Sequence, residues 1–169
     1  MYINRFTPNG FGIKELADKE TYEFLGDEAW KLFDIRLLIT LDKIKRETGW
    51  TIIVNTWSFK TTKYGSFSQR GYRALHSTTG AKGGAHYLGM AIDFDAYDNG
   101  ERISPDKVRE YLLANIEKFC YIRCLETDIN WVHLDVMGWE DHPKRSGVTD
   151  NKILLWSPKT GSKIIERSR

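Results

Sequence analysis

The sequence predicts an α+β domain, on three observations. Apolar residues recur at spacings of three and four between residues 26 and 48, the period of an amphipathic helix. Short runs that are β-branched, or that alternate apolar with acidic residues, follow it and have the period of strands. Helical and strand patterns then come in the order helix, strand, glycine-rich loop, strand, helix, two strands, which is an α+β arrangement.

Taken in order, residues 1–20 mix polar and apolar groups with Gly and Pro and are expected to enter the fold as a loop. Over 26–48 the apolar stripe is Ala29, Leu32, Phe33, Leu37, Leu41 and Ile44. Ile35, Leu38 and Ile39 fall off it, so a second face is available for burial. Gly49, after Lys45 and Arg46, is a stop signal. Thr51–Trp57 (TIIVNTW) reads as a strand. Residues 58–85 contain five glycines with many Ser, Thr and Lys, and a loop of that length inside a compact domain is functional or disordered. From His86 to Asp95 the pattern returns to a strand: Met90, Ile92 and Phe94 alternate with Ala91, Asp93 and Asp95, so both acids share one side. Ser104-Pro105 opens a helix to about Phe119, with Ser as N-cap and Pro at the first helical position. Cys120–Glu126 and Asn130–Met137 read as two strands joined by a polar turn. The tail beyond Trp139 is polar, apart from a short apolar run at Ile153–Trp156.

The chain has 169 residues, which fits one domain over 1–169, with its motif-bearing core at about 26–140. The composition is 41% apolar and 28% charged, with 25 basic against 23 acidic side chains and a net charge of +2. That balance gives no argument for a nucleic-acid partner or an anionic membrane. No stretch approaches the roughly 20 apolar residues of a membrane span, and the N-terminus lacks an apolar segment of signal-peptide length. A soluble protein is expected, made in the cytosol or freed of a leader. Cys120 and Cys124 are expected as reduced, buried thiols rather than a zinc pair, because no second cysteine pair exists.

Four histidines occur, His76, His86, His133 and His142, and two stand in unusual contexts. His86 and Asp93 can lie at the start and middle of one loop–strand segment, with Gly89 letting the backbone turn between them. On the later strand, alternation puts Trp131, His133 and Asp135 on one face and Val132, Leu134 and Val136 toward core. Two neighbouring strands can therefore offer His, Asp and His to one metal ion, although the spacing alone is not specific and a strand histidine is more often structural.

His86-Tyr87-Leu88-Gly89-Met90-Ala91-Ile92-Asp93 resembles the H-x-x-G-x-A-x-D motif of the LAS-type zinc metallopeptidases. That family includes D-Ala-D-Ala carboxypeptidases and L-alanyl-D-glutamate endolysins of phages. Trp131-Val132-His133 is similar to the family's W-x-H motif, Gly71-Tyr72-Arg73 to its S-G-Y-R segment, and Gly83-Gly84-Ala85 to the G-G-A before its first ligand. All four occur in family order, over roughly Val54 to Val136. The resemblance implies the hedgehog/DD-peptidase fold, a small antiparallel sheet flanked by helices with a long glycine-rich loop. It implies His86, Asp93 and His133 as ligands of Zn²⁺, with a water in the fourth position. It also implies hydrolysis of amide bonds in peptidoglycan stem peptides, and a phage or prophage source is in keeping with it.

Such a site needs a carboxylate base shortly before the last histidine. Cys124-Leu125-Glu126 resembles one family arrangement and makes Glu126 the expected base, with Asp128 the alternative; Asn130 stands where several relatives carry an acid, and an amide cannot serve. Arg73 is implied as the group that binds a substrate oxygen and stabilises the oxyanion. The chain departs from the family in carrying Arg70 before Gly71 and in lacking an Asn a few residues later, where His76 and Ser77 stand; His76 is open to a substrate or a loop role. Asp135 is expected to orient a ligand histidine, Asp95 to do likewise or to be solvated, Trp131 and Tyr87 to wall the cleft or pack in the core, and His142 to lie at the surface. The alternative function is a zinc-binding structural or interaction module without catalysis, such as a virion component, and the base before His133 is what separates the two.

Overall fold

A computed structural model describes residues 6–61, 63–78, 83–138, 140–141, 148–149 and 151–167. It is α+β, with a mixed sheet flanked by helices. The segment over 1–20, expected as a loop, holds α1 (Ile13–Leu16) and the first two residues of α2 (Lys19–Leu25). Helices this short do not persist alone. Here Asp18 caps α2 by accepting from the Thr21 N–H, and Leu16 and Ala17 are buried in the core.

The expected helix over 26–48 is two elements. A 3-10 segment (Gly26–Leu32) is followed by a break at Phe33–Asp34 and then α3 (Ile35–Thr48). Asp34 makes the break, because its carboxylate caps the new helix at the Arg36 N–H while its own N–H donates to the Gly89 carbonyl. α3 buries Leu37, Leu38, Leu41 and Ile44, leaves Ile35 exposed, and ends at Gly49 in the left-handed conformation.

The strands are β1 (Thr51–Ile53), β2 (Ala91–Asp98), β3 (Glu101–Arg102), β4 (Cys124–Glu126), β5 (Val132–Asp135), β6 (Lys152–Ser157) and β7 (Gly161–Glu166), with α4 (Pro105–Ala114) between β3 and β4. They form one seven-stranded sheet in the order β1-β2-β5-β4-β6-β7, with β3 paired to β2. The sheet is larger than expected and not wholly antiparallel, since β4 and β6 run parallel. The polar tail supplies the difference: β6 and β7 form a hairpin that extends the sheet. Other boundaries shift as well. β1 is shorter than Thr51–Trp57, β2 begins at Ala91 rather than His86, and β4 begins at Cys124 rather than Cys120. α4 stops at Ala114, where the Asn115 side chain donates to the Tyr111 carbonyl; Ile116 and Phe119 still reach the core from the turns that follow. Ser104 precedes Pro105 as expected but makes no side-chain cap.

One face of the sheet carries Ile92, Phe94, Ala96, Leu125, Val132, Leu134 and Ile153 into a single core with α3 and α4. The other face is the floor of an open cleft. The long stretch between β1 and β2 has no strand or helix among its described residues, and one part of it is fastened to the sheet edge. Where β1 stops, the Arg70 carbonyl accepts from the Asp93 N–H of β2. Fully buried Asn55 fixes that part: its Nδ2 donates to the Ala17 carbonyl, its Oδ1 accepts from the Arg70 N–H, and its backbone N–H donates to the Glu15 carbonyl. Among the described residues no helix is long and apolar enough to cross a membrane. Cys120 and Cys124 are free thiols, but only Cys124 is buried.

Replacing Asn55 by Ala leaves the part-buried Arg70 N–H without its acceptor, while the Ala17 carbonyl keeps its bond from Trp57 Nε1. Leaving such a group without a partner costs about 1–3 kcal/mol, so Asn55→Ala is expected to lower unfolding stability by about that much, read by urea denaturation. A change below about 0.5 kcal/mol, the range of an ordinary surface substitution, contradicts the bracing role.

Candidate metal centre

The register of the sheet sets the site. Asp93 on β2 lies directly across from His133 on β5, and Ala91 across from Asp135. β4 follows with Cys124 across from Asp135 and Leu125 across from Leu134, so the same register carries Glu126 to the level of His133. Asp93, His133 and Glu126 therefore form one row across three strands, facing away from the core.

His86 comes to this row from a turn. Two close approaches hold the turn in place. Gly89 has φ +64°, and a Cβ there would lie 1.9 Å from the Leu32 carbonyl oxygen. Gly71 passes so close to α1 that a Cβ would lie 1.8 Å from the Leu16 carbonyl oxygen. Only glycine fits at either place. The Gly71 carbonyl then accepts from His86 Nδ1 at 2.7 Å, which leaves His86 Nε2 as the lone-pair nitrogen facing Asp93 and His133.

One donor atom from each of His86, Asp93 and His133 falls within a mutual 4.8 Å, and all three residues are buried. His86 Nε2 is 3.4 Å from Asp93 Oδ2 and 3.4 Å from His133 Nδ1. Three donors bonded at about 2.0–2.1 Å to one tetrahedral ion lie about 3.3 Å apart. His86 Nε2 stands at that length from both partners, while the other Asp93 oxygen, Oδ1, is hydrogen-bonded to His133 Nδ1 at 2.7 Å. The group can hold a metal ion. His133 Nε2 lies 3.6 Å from a carboxylate oxygen of Asp135, which is fully buried and also accepts from the Met137 N–H. Each histidine thus has its second nitrogen directed at a protein oxygen, as ligand histidines do.

Burial opposes charge on His133, but hydrogen bonds to Asp135 and Asp93, with attraction to Asp93 and Glu126, outweigh it and raise its pKa from 6.5 to about 10. Burial likewise disfavours the Asp93 carboxylate, yet the neighbouring imidazoles of His86 and His133 hold it well below the usual range.

The cleft above the row has a volume of about 840 Å³, and Arg73, Tyr87, Glu126, Trp131 and Asp135 line it together with the triad. Arg73 is anchored rather than extended. Its Nη2 pairs with Asp93 Oδ2 at 2.8 Å and its Nε donates to the Gln69 carbonyl at 2.7 Å; Nη1 makes no hydrogen bond among the described residues. Glu126 is half-buried at the end of β4. Asp128, the alternative base, does not line the cleft; it is exposed, has φ +61°, and accepts from the Ser157 hydroxyl. Asn130 accepts from Arg102. Asp95 is buried between Arg70 and Arg102, not solvated. His76 pairs with Glu20 at the surface, outside the cleft. The Tyr87 hydroxyl donates to the Ser77 carbonyl. His142 lies outside the described residues.

Sequence reasoning missed Asn55, whose only signal was a polar residue inside the β-branched run TIIVNTW, and Trp156, which lay in an apolar run with no assigned role. It also missed that Arg73 pairs with Asp93. Comparison with known proteins finds no matching family model, no matching curated protein and no matching solved structure.

Metal binding must displace the His133 proton, so metal and proton compete. In the metal-free protein the raised His133 pKa contributes stability that is fully present below about pH 6.5 and is lost as pH rises through about 10. Affinity for a divalent probe ion such as Co²⁺ is therefore expected to tighten by about tenfold per pH unit between roughly pH 6 and 9, with about one proton released per ion. Titration against a competing chelator at several pH values measures this, and a pH-independent affinity contradicts the assignment of His133.

Proposed function

We propose that the chain is a zinc-dependent peptidase that hydrolyses amide bonds in bacterial peptidoglycan stem peptides. The observation that carries the proposal is the convergence of His86 Nε2, an Asp93 carboxylate oxygen and His133 Nδ1 at the floor of an open cleft, with the Glu126 carboxylate in the same row. Two imidazole nitrogens and one carboxylate oxygen are a donor set for catalytic zinc, which keeps a fourth position open. The ordered motifs around these residues, similar to those of the LAS-type zinc metallopeptidases, supply the substrate class and support the hedgehog/DD-peptidase fold.

When bound there, zinc would supply Lewis acidity that lowers the pKa of a water to about 7, giving a nucleophile near neutral pH. The protein's residues do the rest. Glu126 takes the proton as water oxygen adds to the amide carbon, and delivers it to the leaving nitrogen as the C–N bond breaks. Its half-buried place beside His133 keeps it within the cleft. Arg73, fixed by Gln69 and Asp93, offers Nη1 to a substrate carboxylate or to the developing oxyanion. Asp135 and the Gly71 carbonyl hold the two imidazoles in orientation.

Muropeptide cleavage with and without chelator tests this reading. Activity is expected to vanish on chelation and in His133→Ala, and to return on adding zinc to the wild type. Glu126→Gln is expected to lower kcat by about 10²–10⁴ while zinc content stays near one per chain, and Asp128→Asn to lose at least about tenfold less. Cleavage that survives both chelation and His133→Ala defeats the zinc peptidase. Stoichiometric zinc with no cleavage of any muropeptide turns the reading to a non-catalytic zinc-binding structural or interaction module.

A further inference from the structure

The cleft continues past Glu126 along the same row. On β6, Trp156 is paired in register with Glu126, and on β7 Ser162 is paired with Trp156. Glu126, Trp156 and Ser162 all line the cleft, and Trp131 lines it from the turn before β5. The two indoles remain 36% and 37% exposed, so each presents apolar surface to the cleft. Leaving large aromatics in water forgoes burial energy, and clustered exposed aromatics mark binding sites.

Their exposure is built in rather than left to a floppy loop. Three consecutive carbonyls of the turn carrying Trp131 are gripped by guanidinium groups. Buried Arg109 donates to Ile129 and Trp131 at 3.1 and 2.8 Å, and Arg102 donates to Asn130 at 2.6 Å. The same turn is tied to the β6–β7 hairpin: the Thr127 N–H donates to the Trp156 carbonyl at 2.7 Å, and the Ser157 hydroxyl donates to Asp128. The segments bearing the two tryptophans are thus one frame, set before any ligand arrives.

We propose that Trp131 and Trp156 form a subsite that stacks on a sugar ring, so that the protein engages peptide still attached to glycan. This rests on the peptidase reading for the peptide half of the ligand. The chemistry of the row favours a sugar over a hydrocarbon side chain. Trp156 is flanked by the Glu126 carboxylate on one side and the Ser162 hydroxyl on the other. A hexopyranose has apolar C–H faces for the indole and rim hydroxyls for the Ser162 hydroxyl, with Glu126 left to the reacting water, whereas a hydrocarbon would leave the Ser162 hydroxyl unpaired. Trp156 stands two strands from His133, about 10 Å at ordinary strand spacing, a span that roughly three extended residues or linking groups cover.

The experiment uses the full-length zinc-loaded protein and two kinds of readout. Tryptophan fluorescence is titrated with chitotriose, a probe that contains no peptide bond to cleave. Cleavage kinetics are compared for a stem peptide with its disaccharide and the same peptide without it. Chitotriose is expected to perturb the fluorescence, and Trp156→Ala and Trp131→Ala to weaken its binding by about tenfold or more while Trp156→Phe retains most of it. Trp156→Ala is also expected to raise KM for the glycan-linked substrate by about tenfold, with kcat and the free-peptide KM little changed. An unresponsive fluorescence, or a KM rise equal for both substrates, overturns the sugar subsite. So does tetramethylammonium binding at these tryptophans in place of chitotriose, which would make the subsite a cation cage. If no peptide is cleaved at all, the peptidase reading fails while the chitotriose titration still decides the subsite.

Discussion

The pairing of β2 with β5 is the constraint on which the site depends. With Asp93 across from His133, the residues on either side of each, Ile92, Phe94, Val132 and Leu134, fall into the core. A slip of one residue would turn Asp93 into the core and bring Phe94 to the cleft. The apolar core therefore fixes the geometry of the polar site: the burial energy of four large side chains holds the register that keeps a carboxylate and an imidazole adjacent. The functional row inherits its order from the sheet and needs no separate device to align it.

The third donor does need one, because His86 precedes β2. Its position depends on a chain of backbone contacts that begins at the N-terminus. α1 lies close against Gly71, Asn55 binds the carbonyls of Glu15 and Ala17 and the N–H of Arg70, and the Gly71 carbonyl then orients the His86 ring. On the other side, the Gly89 carbonyl receives the Asp34 N–H that starts α3. The helical break at Phe33–Asp34 and the placement of His86 thus both depend on packing of the first helices against the segments that carry Gly71 and Gly89.

This division explains what the sequence revealed. Asp93, His133 and the inward Val132, Leu134 and Val136 were legible because a strand has a period of two and the pattern is local. The turn at Gly89 was legible because glycine is a local signal, and the structure adds that its φ is +64°. The split of the 26–48 helix was not, because Asp34 caps only with the help of Gly89, more than fifty residues away in sequence. α1 and α2 are too short to announce themselves without the core they enter. β7 was hidden because its residues are largely exposed and polar, an edge strand defined by its partner rather than by its own pattern. Arg73 and Asp93 lie twenty residues apart, so no spacing rule could pair them.

The same arrangement accounts for how three donors that could hold a metal ion stay grouped on their own. A lone buried carboxylate is strongly disfavoured, and two acids beside each other more so. Asp93 and Asp135 tolerate burial because His133 carries a proton between them and Arg73 lies against Asp93. These counter-charges hold the donors within hydrogen-bonding range of one another, close to the edges a tetrahedral ion requires. Loading a divalent ion then exchanges a proton on His133 for metal charge, with small movements of side chains already in place. Rigidity of this kind extends along the row. Glu126, Trp156 and Ser162 sit on successive paired strands, so the distance from the metal donors to the aromatic end of the cleft is set by strand spacing. A ligand long enough to reach both ends would have to match that fixed length, so the sheet itself would set the spacing of its two contacts.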